Sequence, residues 1–321
     1  MPGALPAIAF IALVLVLVPL SLQWKARNIP LLSIIAWLAI SDLTYGINAV
    51  IWDGNVNIVV PVWCDITTKL KIGSDIALPA SALALALQVY RITLQKKRLG
   101  TPVELGICVG FPVLTMALHA IVQGHRFDIY EDFGCNPAIF ISIPSIIILD
   151  IPPLIAAGLA LVYCSLALVN FAKQRRAFSQ MVKDSHRPGL SKSRYIRLMS
   201  LTFFLGVWNA LVIALSRASE YQNGLLPWTT WDDVHSFFGL VSQYPLAVIP
   251  ADVLGWLYFN WSSVPITSVF VFVFFAFGAE ATKEYRGYGQ WFATTILRPR
   301  CSTWRETVPE PSRRQPPSRS F

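Results

Sequence analysis

Long apolar runs separated by short polar or basic segments make up most of the chain. A helix needs about 20 mainly apolar residues to cross a hydrocarbon layer of ~30 Å, so each long run predicts a membrane span. The predicted spans are residues 5–22, 29–52, 62–91, 103–122, 138–171, 197–216 and 261–280. The apolar stretch from Phe237 to Ala251 is short and contains Pro245 and Pro250, so we expect an extracellular cap or re-entrant element there. The pattern predicts an all-α integral membrane protein, a bundle of seven transmembrane helices.

Basic residues are distributed unevenly between the segments that connect the spans. Cytoplasmic loops of membrane proteins collect Lys and Arg, whereas exported loops do not. With the N-terminus outside, 22 of the 26 basic residues fall in cytoplasmic segments, and only Arg126 and Arg217 fall in exported loops. This asymmetry predicts an N-terminus outside and a C-terminus in the cytoplasm. We expect residues 1–290 to form the membrane domain and residues 291–321, rich in Pro, Ser and Arg, to form a disordered cytoplasmic tail.

Composition agrees with a membrane protein and narrows its chemistry. Hydrophobic residues make up 55% of the 321 residues and charged residues 14%, against about 25% charged in soluble domains. The basic loops and tail account for the net charge of +8, so it does not indicate nucleic-acid binding. Five cysteines without a CxxC pair and four scattered histidines predict no metal site, because zinc needs several converging ligands.

Other classes of membrane protein fit the sequence less well. A light-driven pump needs a lysine within the last span to hold retinal, and residues 261–280 contain none. An intramembrane enzyme needs paired acids, HExxH or a cluster of histidines, and none of these is present, so the chain is not predicted to be an enzyme. A transporter is a weaker alternative, because the sequence has no internal repeat.

The outer half of the third span carries Asp65, Lys69, Lys71 and Asp75. One charge in mid-bilayer costs about 2.5–3.5 kcal/mol on insertion scales, so four charges indicate a central helix that faces protein or water. Asp65 and Lys69 are four residues apart and can pair locally on one helix face. Alternatively, Lys69 or Asp75 lines a ligand pocket, and the spacing leaves both interpretations open.

Two further acids, Asp42 and Asp150, lie alone in the second and fifth spans. We expect such carboxylates to be protonated or hydrogen-bonded. Pro152 and Pro153 follow Asp150 and remove two successive backbone hydrogen bonds, so Asp150, Pro152 and Pro153 together predict a hinge.

Two cysteines are predicted to face the oxidising side of the membrane. Cys64 lies at the outer end of the third span and Cys135 lies just before the fifth. A disulfide between them is favoured over two free thiols. It would close a loop of about 70 residues and hold the second outer loop over the bundle.

Four segments resemble one family of receptors. They read PVWCDITTKLKIGSDIALPASALAL at the third span, GHRFDIYEDFGCNPAIF in the second outer loop, PWTTWDDVHSFF before the last span and FFAFGAEATKEYR after it. In order and position they resemble the Ste3-type fungal pheromone receptors across residues 5–290, in particular basidiomycete mating-type receptors. The inner end of the third span differs, because LALALQVYRITLQ leaves Arg91 alone where many relatives carry an Arg-Arg or Asn-Arg pair.

The resemblance implies a G-protein-coupled receptor at the plasma membrane. Its ligand would be a peptide pheromone with a farnesylated and carboxymethylated C-terminal cysteine, and its partner a heterotrimeric G protein with its Gα subunit. It implies contact with membrane lipids, no cofactor, and leaves a homo-oligomer open. A receptor-like protein of the same family that does not respond to mating pheromone is the alternative.

Candidate site residues follow from this implied function and from the residues themselves. The candidate ligand-binding residues are Trp63, Asp65, Lys69, Asp75, His125, Arg126, Asp128, Trp228, Trp231 and His235. The three tryptophans fit an interfacial aromatic belt equally well. The candidate G-protein surface consists of Arg91, Lys96, Lys97, Arg98, Arg175, Arg176 and Arg194, with Arg91 as the candidate switch residue.

Overall fold

The computed structural model describes residues 3–173, 192–221 and 224–276 of the chain. Within these residues seven helices are long and apolar enough to cross a membrane, which confirms the predicted seven-helix bundle. They are α1 Ala4–Lys25, α2 Ile29–Ile51, α3 Pro61–Thr93, α4 Thr101–Val122, α5 Ile143–Lys173, α6 Lys192–Glu220 and α7 Ala251–Ala276. The predicted tail, residues 291–321, lies outside the described residues.

Several helices have a proline in their first turn, namely Pro30 in α2, Pro61 in α3 and Pro102 in α4. A backbone N–H in the first turn has no acceptor within the helix, so a proline there removes no helical hydrogen bond. Helix α7 begins at Ala251, ten residues before the predicted start. Asp252 in its first turn stabilises this earlier start, because a carboxylate interacts favourably with the helix dipole there.

Helix α3 is the centre of the bundle and packs against α2, α4, α5 and α6. Its buried face is rich in small residues such as Ala77, Ala80 and Ala84, which allow neighbouring helices to approach closely. Leu85 of α3 belongs to one apolar core cluster with Leu38 of α2 and with residues of α5, α6 and α7. The central position expected from the charges of the third span is the observed one.

A three-stranded sheet lies at one end of the bundle. Strands β1 His125–Tyr130 and β2 Gly134–Asn136 form an antiparallel hairpin between α4 and α5. Strand β3 Phe237–Tyr244, between α6 and α7, pairs with β1 in parallel, so the strand order is β2-β1-β3. The apolar stretch Phe237 to Ala251 therefore does not form a span, in agreement with its interpretation as a cap. We call this end of the bundle the sheet end and the other the opposite end.

The hairpin turn is attached to the end of α2. Asp132 accepts a hydrogen bond from the Gly54 N–H at 2.9 Å and donates its own N–H to the Trp52 carbonyl at 2.9 Å. Asp132 and Gly134 both have a positive φ, which forms the tight turn between β1 and β2. These contacts fix the position of the sheet along the bundle axis, at the end of α2.

Candidate functional site

A disulfide ties the sheet to the central helix. It joins Cys64 of α3 to Cys135 of β2, the two cysteines that the sequence favours as a pair. Trp52 and Phe127 are fully buried against it. Because α3 also carries the charged residues, the disulfide sets the distance between those charges and the sheet.

The predicted tryptophans have different environments. Trp63 donates from Nε1 to Asn48 Oδ1 at 2.7 Å and packs against the disulfide cluster. Trp228 donates to the Ile121 carbonyl at 3.3 Å and so connects the α6–α7 loop to the end of α4. Trp231 is 53% exposed. Trp63 and Trp228 therefore use their polar atoms within the fold, and Trp231 has the most accessible ring of the three.

His235 holds the same loop in place. Its ring stacks on Trp231 with centroids 3.9 Å apart, and Nε2 lies 2.9 Å from the Ala120 carbonyl at the end of α4. The same loop also borders a mostly apolar cavity of about 280 Å³, lined by Ile143, Pro144, Leu225, Leu226, Pro227 and Trp228. The loop between α6 and α7 thus forms part of the surface at the sheet end.

Asp65 pairs with Arg126 of β1 and not with Lys69, so the local Asp65–Lys69 pair, one of the two interpretations that the spacing left open, is not observed. The Arg126 guanidinium donates to both carboxylate oxygens of Asp65, at 2.9 and 2.5 Å. A guanidinium binds a carboxylate through two parallel hydrogen bonds, which a lysine four residues away cannot do. These hydrogen bonds raise the pKa of Arg126. Both side chains remain about 40% exposed, 37% for Arg126 and 41% for Asp65.

Lys69 instead contacts the end of α4. Its Nζ lies 2.7 Å from His119 Nδ1 and 2.7 Å from Gln123 Oε1. His119 and Gln123 are buried. Lys69 therefore connects α3 to α4 below the sheet.

His125 and Asp128 contact each other on the sheet. His125 Nε2 lies 2.6 Å from Asp128 Oδ1 and 3.4 Å from the hydroxyl of Ser242 on β3. Both side chains are partly buried. The pair therefore joins β1 to the α6–α7 loop.

Asp150 of α5 is hydrogen-bonded, as expected for an acid within a span, and it also has a charged partner. Arg217 Nε lies 2.6 Å from Asp150 Oδ1, and the Tyr221 hydroxyl donates to the other carboxylate oxygen. Arg217 also pairs with Glu220. Burial raises the pKa of Tyr221, and its hydrogen bond to Asp150 adds to this effect. The sequence did not predict the pairing of Asp150 with Arg217, because it placed Arg217 in a loop, whereas Arg217 lies in the last turn of α6.

One turn apart on α3, Lys71 and Asp75 face the same charged cluster. Lys71 donates from Nζ to Asn136 Oδ1 of β2 and lies 5.7 Å from the centre of the Tyr45 ring. Asp75 interacts electrostatically with Lys71, Arg217, Glu220 and Asp150. The interior of the bundle therefore contains a mixed-charge cluster contributed by α3, α5 and α6.

Asp42 is also hydrogen-bonded across the bundle, as expected for an acid within a span. The Ser268 hydroxyl of α7 donates to Asp42 Oδ2 at 2.5 Å, and Asp42 is fully buried. This hydrogen bond connects α2 to α7.

The predicted hinge lies next to an irregular helical segment. Residues Ile146–Asp150 form a π-helical turn, directly before the regular helix that begins at Ile151 and contains Pro152 and Pro153. Single π-helical turns are frequent at functional sites. Movement at Asp150, Pro152 and Pro153 stays a prediction.

The opposite end carries basic residues on the α3–α4 loop. Arg91 donates from Nε to the Lys97 carbonyl at 2.8 Å, and Lys96, Lys97 and Arg98 are exposed. Of the other predicted G-protein contacts, Arg175, Arg176 and the side chain of Arg194 lie outside the described residues.

The sequence pattern did not predict Arg217, Glu220 or Tyr221 as site residues. A signal was present, because Arg217 and Glu220 are three residues apart at the end of a charge-free run and can share one helix face. Extending the sixth span by one turn would have placed both inside the bundle.

Comparison with known proteins identifies one family. The family model named STE3, pheromone A receptor, matches residues 4–293. The Pheromone B beta 1 receptor of Schizophyllum commune is 43% identical over 288 residues, which cover 87% of this chain and 53% of that protein. The Pheromone B alpha 2 receptor of the same species is 31% identical, over 91% of this chain and 47% of that protein. Pheromone receptor 1 of Mycosarcoma maydis is 26% identical, over 88% of this chain and 82% of that protein.

The chain spans about half the length of the Schizophyllum relatives that it matches. No solved structure matches it.

Proposed function

The chain belongs to the STE3 family of pheromone A receptors, and from this premise we propose that it is a mating pheromone receptor of the plasma membrane. It is a multi-pass membrane protein, and the members of this family are receptors and not enzymes. The proposed ligand is a farnesylated peptide, and the proposed partner is a heterotrimeric G protein. The observation that carries the proposal is the family match over almost the whole helical bundle, residues 4–293.

The ligand is proposed to bind at the sheet end. Polar and charged groups of β1, α3 and the α6–α7 loop lie together there, among them Arg126, Asp65 and Lys69. These groups suit the polar backbone and side chains of a peptide. The apolar cavity beside Trp228 lies at the same end and offers surface for an apolar chain.

The G protein is proposed to bind at the opposite end, which the distribution of Lys and Arg predicts to face the cytoplasm. The basic residues there supply a positive surface for an acidic partner. Movement at Pro152 and Pro153 is proposed to connect the two ends, because proline removes backbone hydrogen bonds that would otherwise keep α5 rigid.

A reporter assay tests the proposal directly. The chain is produced in cells that lack their own pheromone receptors but carry a G-protein-dependent reporter. The cells are exposed to a panel of synthetic peptides, each made with and without a farnesylated cysteine methyl ester. We expect a response to at least one lipidated peptide and none to its unlipidated form. Silence across the panel, with the receptor detected at the cell surface, would favour a family member that does not respond to mating pheromone.

The proposed coupling surface is tested with Arg91→Ala. Arg91 lies at the end of α3 and orders the α3–α4 loop through Lys97. We expect loss of the reporter response with surface expression and binding of the active peptide retained. Lys96→Ala, which removes an exposed charge from the same loop, is the matched control and should reduce the response only slightly. Loss of peptide binding in Arg91→Ala would assign Arg91 a structural role instead.

A further inference from the structure

Asp75 is exposed although it lies deep within the bundle. It is the fifteenth residue of α3, the central helix, and its immediate neighbours Ser74 and Ile76 are buried. Tyr45 of α2, Asp150 of α5 and Arg217 of α6 lie near enough to interact with its charge. A carboxylate that is surrounded by three helices and still exposed must face an open space inside the bundle.

The other charged groups of the cluster already have partners. Lys71 donates to Asn136, and Arg217 pairs with both Asp150 and Glu220. Asp75 makes no hydrogen bond and no ion pair within 4 Å to any residue that the structure describes, although it lies one helical turn from Lys71. Its charge is therefore the one that is open to a ligand.

The charges of the cluster do not balance once Asp75 is ionised. Lys71 and Arg217 contribute two positive charges, whereas Asp75, Asp150 and Glu220 contribute three negative charges when ionised. An unbalanced charge within a membrane-spanning bundle is costly, and a cation bound at Asp75 would neutralise it. A calcium ion takes six to eight oxygen ligands, and the carboxylates of Asp150 and Glu220 are already engaged by Arg217. One open carboxylate suits an ammonium or guanidinium group better, because it can form a charge-assisted hydrogen bond with either.

We propose that Asp75 is the anchor for an organic cation, an ammonium or guanidinium group, that enters the bundle from the sheet end. Under the proposed function, this cation is either the N-terminal amine of the peptide or the side chain of one of its Lys or Arg residues. The identity of the ligand as a peptide rests on the proposed function, whereas the cation site rests on the geometry around Asp75.

The position of Asp75 sets the length of ligand that must enter. The Asp65–Arg126 pair marks the level of the sheet, and Asp75 lies ten residues further along α3. Ten helical residues correspond to about 15 Å along the axis. An extended peptide covers that depth with about five residues. The cationic group therefore lies about five residues from the part of the ligand that contacts the sheet.

Chemical labelling tests the site without any pheromone. The purified receptor in lipid nanodiscs is treated with a water-soluble carbodiimide and glycinamide, and amide formation at each carboxylate is measured by mass spectrometry of peptides. We expect Asp75 to react much faster than Asp42, which is fully buried and serves as the internal control. N-butylguanidinium, a cation without an amine that could couple to the activated carboxylate, should slow the reaction at Asp75, whereas neutral N-butylurea should not. Labelling of Asp75 no faster than that of Asp42, or equal labelling with and without N-butylguanidinium, would overturn the proposal. Protection by sodium chloride alone, with none by N-butylguanidinium, would overturn it in favour of an inorganic ion.

Reporter cells then distinguish the two sources of the cation. Each active lipopeptide is compared with its N-acetylated form and with forms in which single Lys or Arg residues are replaced by Gln. In the wild-type receptor, removal of the cation that binds Asp75 should weaken the response at least about tenfold, and Asp75→Asn should cause a similar loss for the unmodified peptide.

In Asp75→Asn the modified and unmodified peptides should become nearly equal in potency, because the partner of the cation is absent. Asp53→Asn, which removes an exposed acid from the α2–α3 loop, is the control and should keep the full difference. A full difference in Asp75→Asn would overturn the proposal. If no peptide activates the wild-type receptor, the proposed function fails, and the labelling result alone decides whether the cation site exists.

Discussion

Several buried polar side chains in the described part of the chain find partners on neighbouring helices. Ser33 and Trp37 of α2 both donate to the Cys108 carbonyl of α4, at 3.2 and 3.1 Å. Ser41 donates to Ser74 of α3 at 2.9 Å. Between membrane helices the hydrophobic effect is weak, so such hydrogen bonds and close packing contribute to association. The ion pair of the charged cluster likewise connects side chains on different helices, Asp150 on α5 and Arg217 on α6.

Arg217 is the residue on which the charged cluster depends most. In Arg217→Ala we expect a loss of stability of about 3–5 kcal/mol, because Asp150, with a 6% exposed side chain, would lose its charged partner. Thermal unfolding of the purified receptor measures this loss. The double variant Arg217→Ala with Asp150→Asn should recover part of it, since no unpaired buried carboxylate remains. A double variant that is less stable than Arg217→Ala would contradict this account.

Gly134 is required by the turn between β1 and β2. Its φ is +76°, and an added Cβ would lie 2.7 Å from both Asn48 Cβ and Trp52 Cε3. Gly54 also has a positive φ, +63°, but its added Cβ would meet no atom within 4 Å. Gly54→Ala should therefore cost about 1–2 kcal/mol from backbone strain, and Gly134→Ala clearly more from the additional overlap. Thermal unfolding compares the two variants, and equal losses would show that the contact with α2 is unimportant.

At the scale of elements, the main feature is a sheet built from two distant loops. Strand β1 follows α4, strand β3 precedes α7, and the two pair in parallel from His125↔Phe237 to Tyr130↔Tyr244 with an irregularity after the first pair. Leu246 donates its N–H to Glu131 Oε2 at 2.7 Å, which continues the connection past the end of the strands. Because α6 and α7 are attached to β3, a ligand that contacts the sheet is linked mechanically to both helices.

The disulfide is expected to stabilise this arrangement. Cys64 and Cys135 are separated by 71 residues, and closing a loop of this length in the unfolded chain contributes about 4 kcal/mol in the chain-entropy model. The double variant Cys64→Ser with Cys135→Ser should unfold at a lower temperature than the wild type. A reducing agent should lower the unfolding temperature of the wild type and leave that of the double variant unchanged. An equal effect of the reducing agent on both proteins would show that it acts on a group other than the Cys64–Cys135 disulfide.

At the scale of the whole molecule, the two ends of the bundle differ in charge and structure. The sheet end has paired charges and a folded cap, whereas the α3–α4 loop at the opposite end has three successive exposed basic residues, Lys96, Lys97 and Arg98. Positive loops are retained in the cytoplasm, so we expect the sheet end to face outward.

Cysteine labelling tests this orientation. In a Cys301→Ser background, where Cys108 and Cys164 are buried, single cysteines are introduced as Asp53→Cys at the sheet end and Lys96→Cys at the opposite end. A membrane-impermeant maleimide should label Asp53→Cys in intact cells and Lys96→Cys only after permeabilisation. The reverse pattern would show that the sheet end faces the cytoplasm, and the proposed ligand and G-protein sites would then lie on the wrong sides of the membrane.

The sequence by itself determined the number of helices and the central place of α3. Both depend on local composition: the length of each apolar run decides whether it can span, and a run with four charges cannot face lipid. The sequence also favoured a disulfide between Cys64 and Cys135, because both are predicted on the oxidising side near the outer ends of spans. The four receptor-like motifs indicated the family, because each motif is a continuous stretch of residues that can be recognised without the fold.

Only the tertiary structure decided the partners of the charged residues. Asp65 has a lysine four residues away in the sequence, yet it pairs with Arg126, which the hairpin brings to it with better hydrogen-bond geometry. Asp42 and Asp150 have no partner within their own helices, and their partners Ser268 and Arg217 lie on helices far along the chain. Asp75 was a candidate ligand-binding residue from the sequence, but the sequence did not show that its carboxylate stays unpaired, because this depends on what the surrounding helices leave open. Hydrophobic length is a property of one segment, whereas charge pairing and cavities depend on how segments pack.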